Sequence, residues 1–202
     1  MTDDRPHPPI VPEGAAAAAA ARFAATASAR GDADVSYATL DSPVGRLVAV
    51  RTRQGLAMLS YEDHHGGVDA VLDAVAAGLS PRVLEAPARL DDVRRQLEQY
   101  FAGARTTFEL DLDWTLTTPF ARRILQATCG VPFGTTATYA AMASAAGNPS
   151  ASRAAGRALG SNPIPIVVPC HRIVGTSGRL TGYTGGMHRK VALLELEGLV
   201  FG

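Results

Sequence analysis

The first half of the chain alternates between short runs with a hydrophobic period of two and longer runs with a helical period. A period of two places successive side chains on opposite faces of a strand, whereas apolar residues every three or four positions mark one face of a helix. The predicted strands are 35–40, 46–50, 55–61 and 107–112, and the predicted helices are 68–79 and 90–102. We expect the first three strands to form an antiparallel meander. Residues 35–115 should therefore fold as a small α+β domain.

From residue 116 onward the pattern becomes mostly helical. Thr118 is a suitable N-cap and Pro119 suits the first helical position, so a helix should begin here and end at Gly130. Two short helices around a Gly-containing turn are typical of a helix-turn-helix, although many helical hairpins bind no DNA. Such helices are expected over 138–146 and, after the turn Gly147-Asn148-Pro149, up to about residue 159. The sequence thus predicts a helical second domain over 116–202.

The N-terminus and the distribution of charge add expectations about location and partner. Residues 1–34 are rich in Ala and Pro, with Phe23 almost the only large apolar side chain, so we expect a disordered tail. The chain shows no secretory signal and no apolar run long enough to cross a bilayer, so we expect a cytoplasmic protein without membrane contact. The net charge is zero, but the chain from Thr118 onward contains eight basic side chains and only two acidic ones. This asymmetry indicates a polyanionic partner, or else chance unevenness.

The two cysteines differ in their surroundings. Cys129 and Cys170 are too few for a disulfide framework, and no Cys and His cluster has zinc-ligand spacing, so we expect no metal and no cofactor. Cys170 follows Pro169, which prevents a regular helix, and directly precedes His171 and Arg172. Neighbouring positive charge lowers the pKa of a thiol, so this pattern predicts a reactive thiolate. The competing interpretation is that Cys170 is a small buried hydrophobe, as Cys129 is expected to be.

The segment around Cys170 resembles a known family. Pro169-Cys170-His171-Arg172 is preceded by Asn162-Pro163-Ile164-Pro165 and followed by Leu180-Thr181-Gly182-Tyr183-Thr184-Gly185-Gly186. This ordered set is similar to the O6-alkylguanine-DNA alkyltransferases, and the similarity extends from about Ser36 to Gly198. The resemblance implies a ribonuclease-H-like α+β domain followed by a helical, winged-helix-like domain that bears the cysteine. It also implies direct-reversal repair, in which an alkyl group passes irreversibly from guanine in DNA to the protein's own cysteine in a single turnover.

The resemblance gives catalytic roles to five residues. Cys170 is the acceptor nucleophile, His171 deprotonates it through a water, and Glu197 orients the histidine. Asn162 braces the turn before the cysteine, and Tyr139 protonates the guanine as it leaves. Adjacent side chains diverge, so a bridging water between Cys170 and His171 is physically reasonable. The alternative for Glu197 is a solvated carboxylate at a helix end.

The resemblance also implies contacts with substrate and DNA. The expected substrate-binding residues are Tyr183, Thr184, Pro165, Ile173 and Lys190. The expected DNA-binding residues are Arg153, Ala151, Ala154 and Arg172. Arg153 matches the arginine that replaces the extruded nucleotide in the base stack, and extrusion is needed because the guanine oxygen lies inside the duplex. Small residues around Arg153 suit a close approach to the minor groove, or equally tight packing in a core.

Three other functions are open at this point. A protein of the same fold that senses alkylguanine without repairing it would replace the cysteine, commonly with tryptophan. A plain winged-helix regulator would leave Cys170, His171, Glu197 and the first domain unexplained. A cysteine hydrolase would need a better-placed histidine than His171 or His188. We therefore expect a monomer, with possible cooperative assembly, that acts on double-stranded DNA containing alkylated guanine, and we leave O4-alkylthymine open as a second substrate.

Overall fold

The computed structural model describes residues 18–19, 22–23, 26–27, 33–64 and 66–200, so most of the expected N-terminal tail lies outside the described residues. The elements of the first half are β1 (Val35–Leu40), β2 (Leu47–Arg51), β3 (Leu56–Tyr61), α1 (Val68–Gly78), β4 (Val83–Glu85) and α2 (Asp91–Phe101). The strands form one sheet in the order β3-β2-β1-β4. The predicted antiparallel meander of β1, β2 and β3 is confirmed, and β4 adds a parallel partner to β1.

Alternation along the strands gives the sheet two buried faces. In β2, Val48 and Val50 join side chains of α1 in a small cluster. Leu47 and Ala49 of the same strand belong instead to a larger core, which also takes residues from α2 and from the second half of the chain. Residues of opposite parity therefore bury opposite faces, as the two-residue period of a strand requires.

The predicted strand at 107–112 was wrong, although its side chains alternate as expected. The members that pack against the core are Phe108, Leu110 and Leu112. The side-chain amide of Gln96 donates to Glu109 O at 2.9 Å and accepts from Glu109 N at 2.7 Å, which are the backbone groups that a neighbouring strand would bond. One isolated bridge joins Leu112 to Leu56. A side chain thus replaces the strand ladder, and the segment stays irregular.

The second half carries the predicted helices in the predicted order. Its elements are α3 (Pro119–Cys129), β5 (Ala137–Thr138), α4 (Tyr139–Ala145), α5 (Ser152–Gly160), β6 (Ile173–Val174) and α6 (Met187–Leu196). Helix α3 begins as expected, since the Thr118 hydroxyl accepts a hydrogen bond from Ala121 N and Pro119 takes the first helical position. Helices α4 and α5 pack against each other as the two short helices of the expected pair. Strands β5 and β6 pair in parallel, and β6 directly follows the segment that contains Cys170.

One hydrophobic core extends through both halves of the chain. It contains Leu59 and Leu97 from the first half together with Ile124, Ile164 and Leu193 from the second. The two halves therefore pack as one body around the segment that joins α5 to β6. None of the helices that the structure describes combines the length and the apolar composition needed to cross a bilayer.

Candidate active site

The segment between α5 and β6 folds around the side chain of Asn162. The amide nitrogen of Asn162 donates hydrogen bonds to Val168 O at 2.9 Å and to Cys170 Sγ at 3.1 Å. Its amide oxygen accepts the Ile164 N–H at 3.0 Å. Within this turn Ile166 has a φ of 72°, a strained value for a β-branched residue that persists only where the surroundings enforce it. The turn therefore presents Cys170 in one position, with a hydrogen-bond donor already on its sulfur.

Cys170 lines a cavity of about 550 Å³, and the residue is only 6% exposed. Burial raises the pKa of its thiol to about 11, although the hydrogen bond from Asn162 and the charge of Lys190 act in the opposite direction. The expectation that His171 and Arg172 ionise this thiol is therefore wrong for the free protein. At neutral pH Cys170 is a protonated thiol, and a base must remove its proton before it can act as a nucleophile.

His171 and Glu197 form a buried pair next to the cysteine. His171 Nε2 lies 2.9 Å from Glu197 Oε1, and neither side chain is exposed to solvent. An ionised carboxylate only accepts hydrogen bonds, so Nε2 carries the proton and Nδ1 is left as an acceptor. Within the described part of the chain, His171 Nδ1 is buried and has no hydrogen-bond partner. Burial lowers the pKa of His171, and Glu197 opposes this shift only in part, so the imidazole is neutral at pH 7 and can accept a proton at Nδ1.

Glu197 is the centre of a wider hydrogen-bonded network. Its carboxylate accepts from the Tyr100 hydroxyl at 2.8 Å and from Gly134 N at 3.2 Å. Arg172 donates to it through Nε at 2.9 Å and through Nη2 at 2.9 Å. Burial on its own would raise the pKa of Glu197, but the hydrogen bonds from His171 and Arg172 lower it to about 2. The carboxylate is thus ionised and buried, and the alternative of a solvated helix-end acid does not hold.

Arg172 does not lie on a surface that DNA could reach. The residue is 5% exposed, and its Nη1 donates to Val131 O at 2.6 Å. Its Nε and Nη2 are engaged by Glu197, so each of the three guanidinium nitrogens already donates to an acceptor inside the protein. The expectation that Arg172 contacts DNA was wrong, because its hydrogen-bonding capacity is used to hold a buried carboxylate.

Two tyrosines and two threonines from the second half line the cavity beside the cysteine. Tyr139 begins α4, and its hydroxyl lies 2.8 Å from the hydroxyl of Thr181. Tyr183 lies in the loop before α6, and its hydroxyl lies 2.9 Å from the hydroxyl of Tyr61 on β3. Thr184 follows in the same loop and also lines the cavity. The structure therefore brings three of the expected contact residues to the cavity of Cys170 and gives both tyrosines a fixed hydroxyl partner.

Helix α5 forms another wall of the cavity. Arg153 and Gly156 line it, and Arg153 is exposed. Arg157, one turn further along the same helix, is also exposed but does not line the cavity. Ala151 and Ala154 are partly buried at the start of the helix. This end of α5 thus presents one long cationic side chain at the cavity and little bulk around it.

Three residues that we expected to bind substrate do not line the cavity of Cys170. Lys190 is fully buried, and its Nζ donates to Ile173 O at 2.6 Å and to Thr181 O at 3.1 Å. Burial lowers the pKa of Lys190 to about 8. Pro165 lines a neighbouring cavity of about 320 Å³ instead. None of Lys190, Ile173 and Pro165 lines the cavity of Cys170, so their contact with substrate stays a prediction that the free protein does not support. Lys190 instead ties β6 to the loop that carries the cavity wall.

Two residues of the first half that contact the site were not predicted from the sequence. Tyr61 bonds a partner 122 positions away, and Tyr100 bonds one 97 positions away. A buried tyrosine at the end of a strand or helix normally indicates core packing, so the local pattern carries no signal for either contact. Only the packing of the two halves reveals them.

Two family models match the chain in succession. The ribonuclease-like domain of 6-O-methylguanine DNA methyltransferase matches residues 35–114. The DNA-binding domain of 6-O-methylguanine DNA methyltransferase matches residues 119–199. The fold is accordingly a ribonuclease-like α+β domain followed by a helical DNA-binding domain.

Individual relatives agree with these models. The methylated-DNA–protein-cysteine methyltransferase of Mycobacterium tuberculosis is 41% identical over 166 residues, which are 81% of this chain and 92% of the relative. The constitutive Bacillus subtilis protein of the same name is 37% identical over 164 residues, covering 80% of this chain and 94% of the relative. The crystal structure of the M. tuberculosis O6-methylguanine methyltransferase has a TM-score of 0.69 at 39% identity, over 81% of this chain and 92% of that one. Its structure in complex with DNA has a TM-score of 0.69 at 38% identity, over 81% and 93%. The chain therefore belongs to the methylated-DNA–protein-cysteine methyltransferase family.

Proposed function

We propose that this protein repairs DNA by moving an alkyl group from O6 of guanine onto Sγ of Cys170, and that each molecule acts once. The observation that carries the proposal is a cavity lined by the buried thiol of Cys170, whose sequence neighbour His171 has a neutral imidazole with Nδ1 available as an acceptor. A cavity of this volume is in the range typical of small-molecule sites. The DNA complex of the M. tuberculosis relative supports DNA as the partner.

In the proposed reaction one S–C bond forms and one C–O bond breaks. Cys170 Sγ attacks the alkyl carbon, the S–C bond forms, and the bond between that carbon and guanine O6 breaks. The thiol proton passes through a bridging water to His171 Nδ1, and Glu197 stabilises the imidazolium that results. Guanine departs with the electron pair, and Tyr183 donates a hydrogen bond to its oxygen. Tyr139 donates a proton to the guanine ring and recovers one from the His171 imidazolium through solvent. The product is a thioether, which the site has no means of cleaving, so the transfer is irreversible.

Binding of DNA is proposed to occur through α5. The target base must leave the duplex before its O6 can reach a cysteine inside a cavity. Arg153 is exposed at that cavity and is proposed to occupy the space that the base vacates. Ala151 and Ala154 leave room for the backbone of the helix to approach the minor groove. Phosphate contacts in such an interface make binding weaker as salt rises.

Intact-protein mass spectrometry tests the proposal directly. Incubation with a duplex that contains O6-methylguanine should add the mass of one methylene unit to each protein molecule, with the modification on the Cys170 peptide. Cys170→Ser should retain DNA binding and gain no mass. Cys129→Ser is the matched control and should react like the wild type, since Cys129 does not line the cavity. Binding of the lesion without any gain of mass would contradict the proposal and would indicate a sensor instead.

Three further points belong to the same proposal. We propose that the protein acts as a monomer. We propose a cytoplasmic location, because a reducing compartment keeps the acceptor as a thiol. A duplex with O4-methylthymine, tested by the same mass measurement, decides whether pyrimidine lesions are also substrates. Sedimentation with and without DNA decides the monomeric state and shows any cooperative assembly.

A further inference from the structure

Tyr61 lies at the end of β3, in the first half of the chain, yet its hydroxyl reaches the active site. It lies 2.9 Å from the hydroxyl of Tyr183, and the two rings meet edge to face with centroids 6.4 Å apart. Tyr61 itself is 2% exposed and does not line the cavity of Cys170. Among the residues that the structure describes, each of these two hydroxyls has the other as its hydrogen-bond partner.

The ring of Tyr61 is held in place by its neighbours. The guanidinium of Arg189 lies 4.2 Å from the ring centroid. Arg189 is fixed in turn by Val44 O at 2.7 Å, Gly185 O at 2.9 Å and Asp63 Oδ2 at 2.7 Å. A methyl group on Gly185 would lie 2.3 Å from the Tyr61 ring, so only glycine fits there. This packing leaves the Tyr61 hydroxyl a single position, directed at Tyr183.

A hydroxyl has one proton to donate, so the direction of the bond between the two tyrosines matters. If Tyr61 donates to Tyr183, the proton of Tyr183 remains available for the guanine oxygen. A hydroxyl that accepts one hydrogen bond also donates a stronger one. Burial raises the pKa of both tyrosines, so both hydroxyls keep their protons at neutral pH. Tyr183 lines the same cavity as Cys170.

We propose that Tyr61 is a positioning residue for alkyl transfer, which holds the Tyr183 hydroxyl as a donor to the departing guanine oxygen. This inference rests on the proposed function, since it acts through the role proposed there for Tyr183. The ribonuclease-like domain would then take part in the reaction through Tyr61, although none of its described residues lines the cavity of Cys170.

Single-turnover rates of transfer at saturating lesion DNA test the inference. Tyr61→Phe keeps the ring and its contact with Arg189 but removes the hydroxyl. We expect about a fivefold slower transfer, the effect of one net hydrogen bond, with unchanged DNA affinity. Tyr37→Phe is the matched control, because Tyr37 lies on the same sheet outside the site, and it should leave the rate unchanged. Thermal unfolding of each variant checks that the fold is intact.

A double-mutant cycle separates positioning from a structural effect. In a Tyr183→Phe background, Tyr61→Phe should have no further effect on the rate. Its penalty should also shrink with an alkylated purine analogue that departs as a more stable anion, because less donation is then needed. An equal fivefold loss in both backgrounds and with both substrates would overturn the inference.

The same data distinguish failure of the inference from failure of the proposed function. If Tyr183→Phe slows transfer and Tyr61→Phe does not, the inference alone is overturned. If Tyr183→Phe has no effect, the role of Tyr183 and the inference both fail. A missing adduct on Cys170 in the wild type would instead overturn the proposed function itself.

Discussion

Cys170 is flanked by His171 and Arg172 in the sequence, yet neither side chain brings positive charge to its sulfur. Arg172 is bound by Glu197, and burial keeps the imidazole of His171 neutral. With the pKa of Cys170 raised to about 11, the thiol of the free protein is protonated and poorly nucleophilic. A thiol in this state reacts slowly with oxidants and stray alkylating agents. This property suits a protein whose cysteine accepts one alkyl group, because a side reaction would consume the whole molecule.

The pH dependence of transfer should therefore follow His171. The wild-type rate should be level from roughly pH 7 to the Lys190 pKa of about 8, because the neutral imidazole is present throughout this range. It should decline at higher pH as Lys190 loses the charge that favours the thiolate of Cys170. It should fall in acid only below the ordinary histidine pKa of 6.5, since burial lowers the pKa of His171. In His171→Gln the base is lost, so the rate should rise about tenfold per pH unit toward the pKa of Cys170. Single-turnover rates across the pH range measure both curves, and a wild-type rate that rises with the same slope would show that free thiolate reacts without His171.

Sequence patterns correctly predicted those features of the helices and strands that neighbouring residues in the chain determine. Thr118 and Pro119 correctly marked the start of α3, because an N-cap and a first-turn proline act within one turn. The side chains of segment 107–112 alternate as predicted, but the segment does not form a strand. The side chain of Gln96 from α2 occupies the backbone groups that a neighbouring strand would bond. Strand β4 has three residues, too few to show a period, and it forms only because β1 lies beside it. Periodicity thus predicts which side chains are buried, while the backbone partner is a tertiary property.

Helix α5 allows a matched test of its role in DNA binding. Arg153 and Arg157 are both exposed on α5, but only Arg153 lines the cavity. If Arg153 replaces an extruded base, Arg153→Ala should slow transfer from duplex DNA by about tenfold or more, since extrusion costs a few kcal/mol. Arg157→Ala should leave that rate near the wild-type value and reduce only salt-dependent affinity. Transfer from free O6-benzylguanine, which needs no extrusion, should be unchanged in both variants. Equal losses on the duplex would show that Arg153 contributes only charge.

At the scale of the whole molecule, the ribonuclease-like half supplies a hydroxyl to each side of the site. Tyr61 reaches Tyr183, and Tyr100 reaches Glu197. Sequence motifs identified Cys170, His171 and Glu197 as a set, but they could not supply these partners, because no local pattern links residues about a hundred positions apart. Glu197 in particular collects bonds from α2, from the loop after α3 and from the turn that bears His171. The carboxylate of Glu197 therefore bonds groups from both halves of the chain.

The stability of the protein should consequently fall in acid through Glu197. The folded-state pKa of Glu197 is lowered from 4.5 to about 2, so its stabilisation is complete above 4.5 and is lost as the pH falls toward 2. A shift of this size corresponds to about 3 kcal/mol of unfolding free energy. Glu197→Gln should therefore be less stable than the wild type at neutral pH, and this difference should shrink over that acid range. Glu195→Gln, exposed on α6, is the control and should follow the wild-type curve. Urea unfolding at a series of pH values measures all three, and parallel curves for Glu197→Gln and the wild type would show that the charge of this carboxylate does not stabilise the fold.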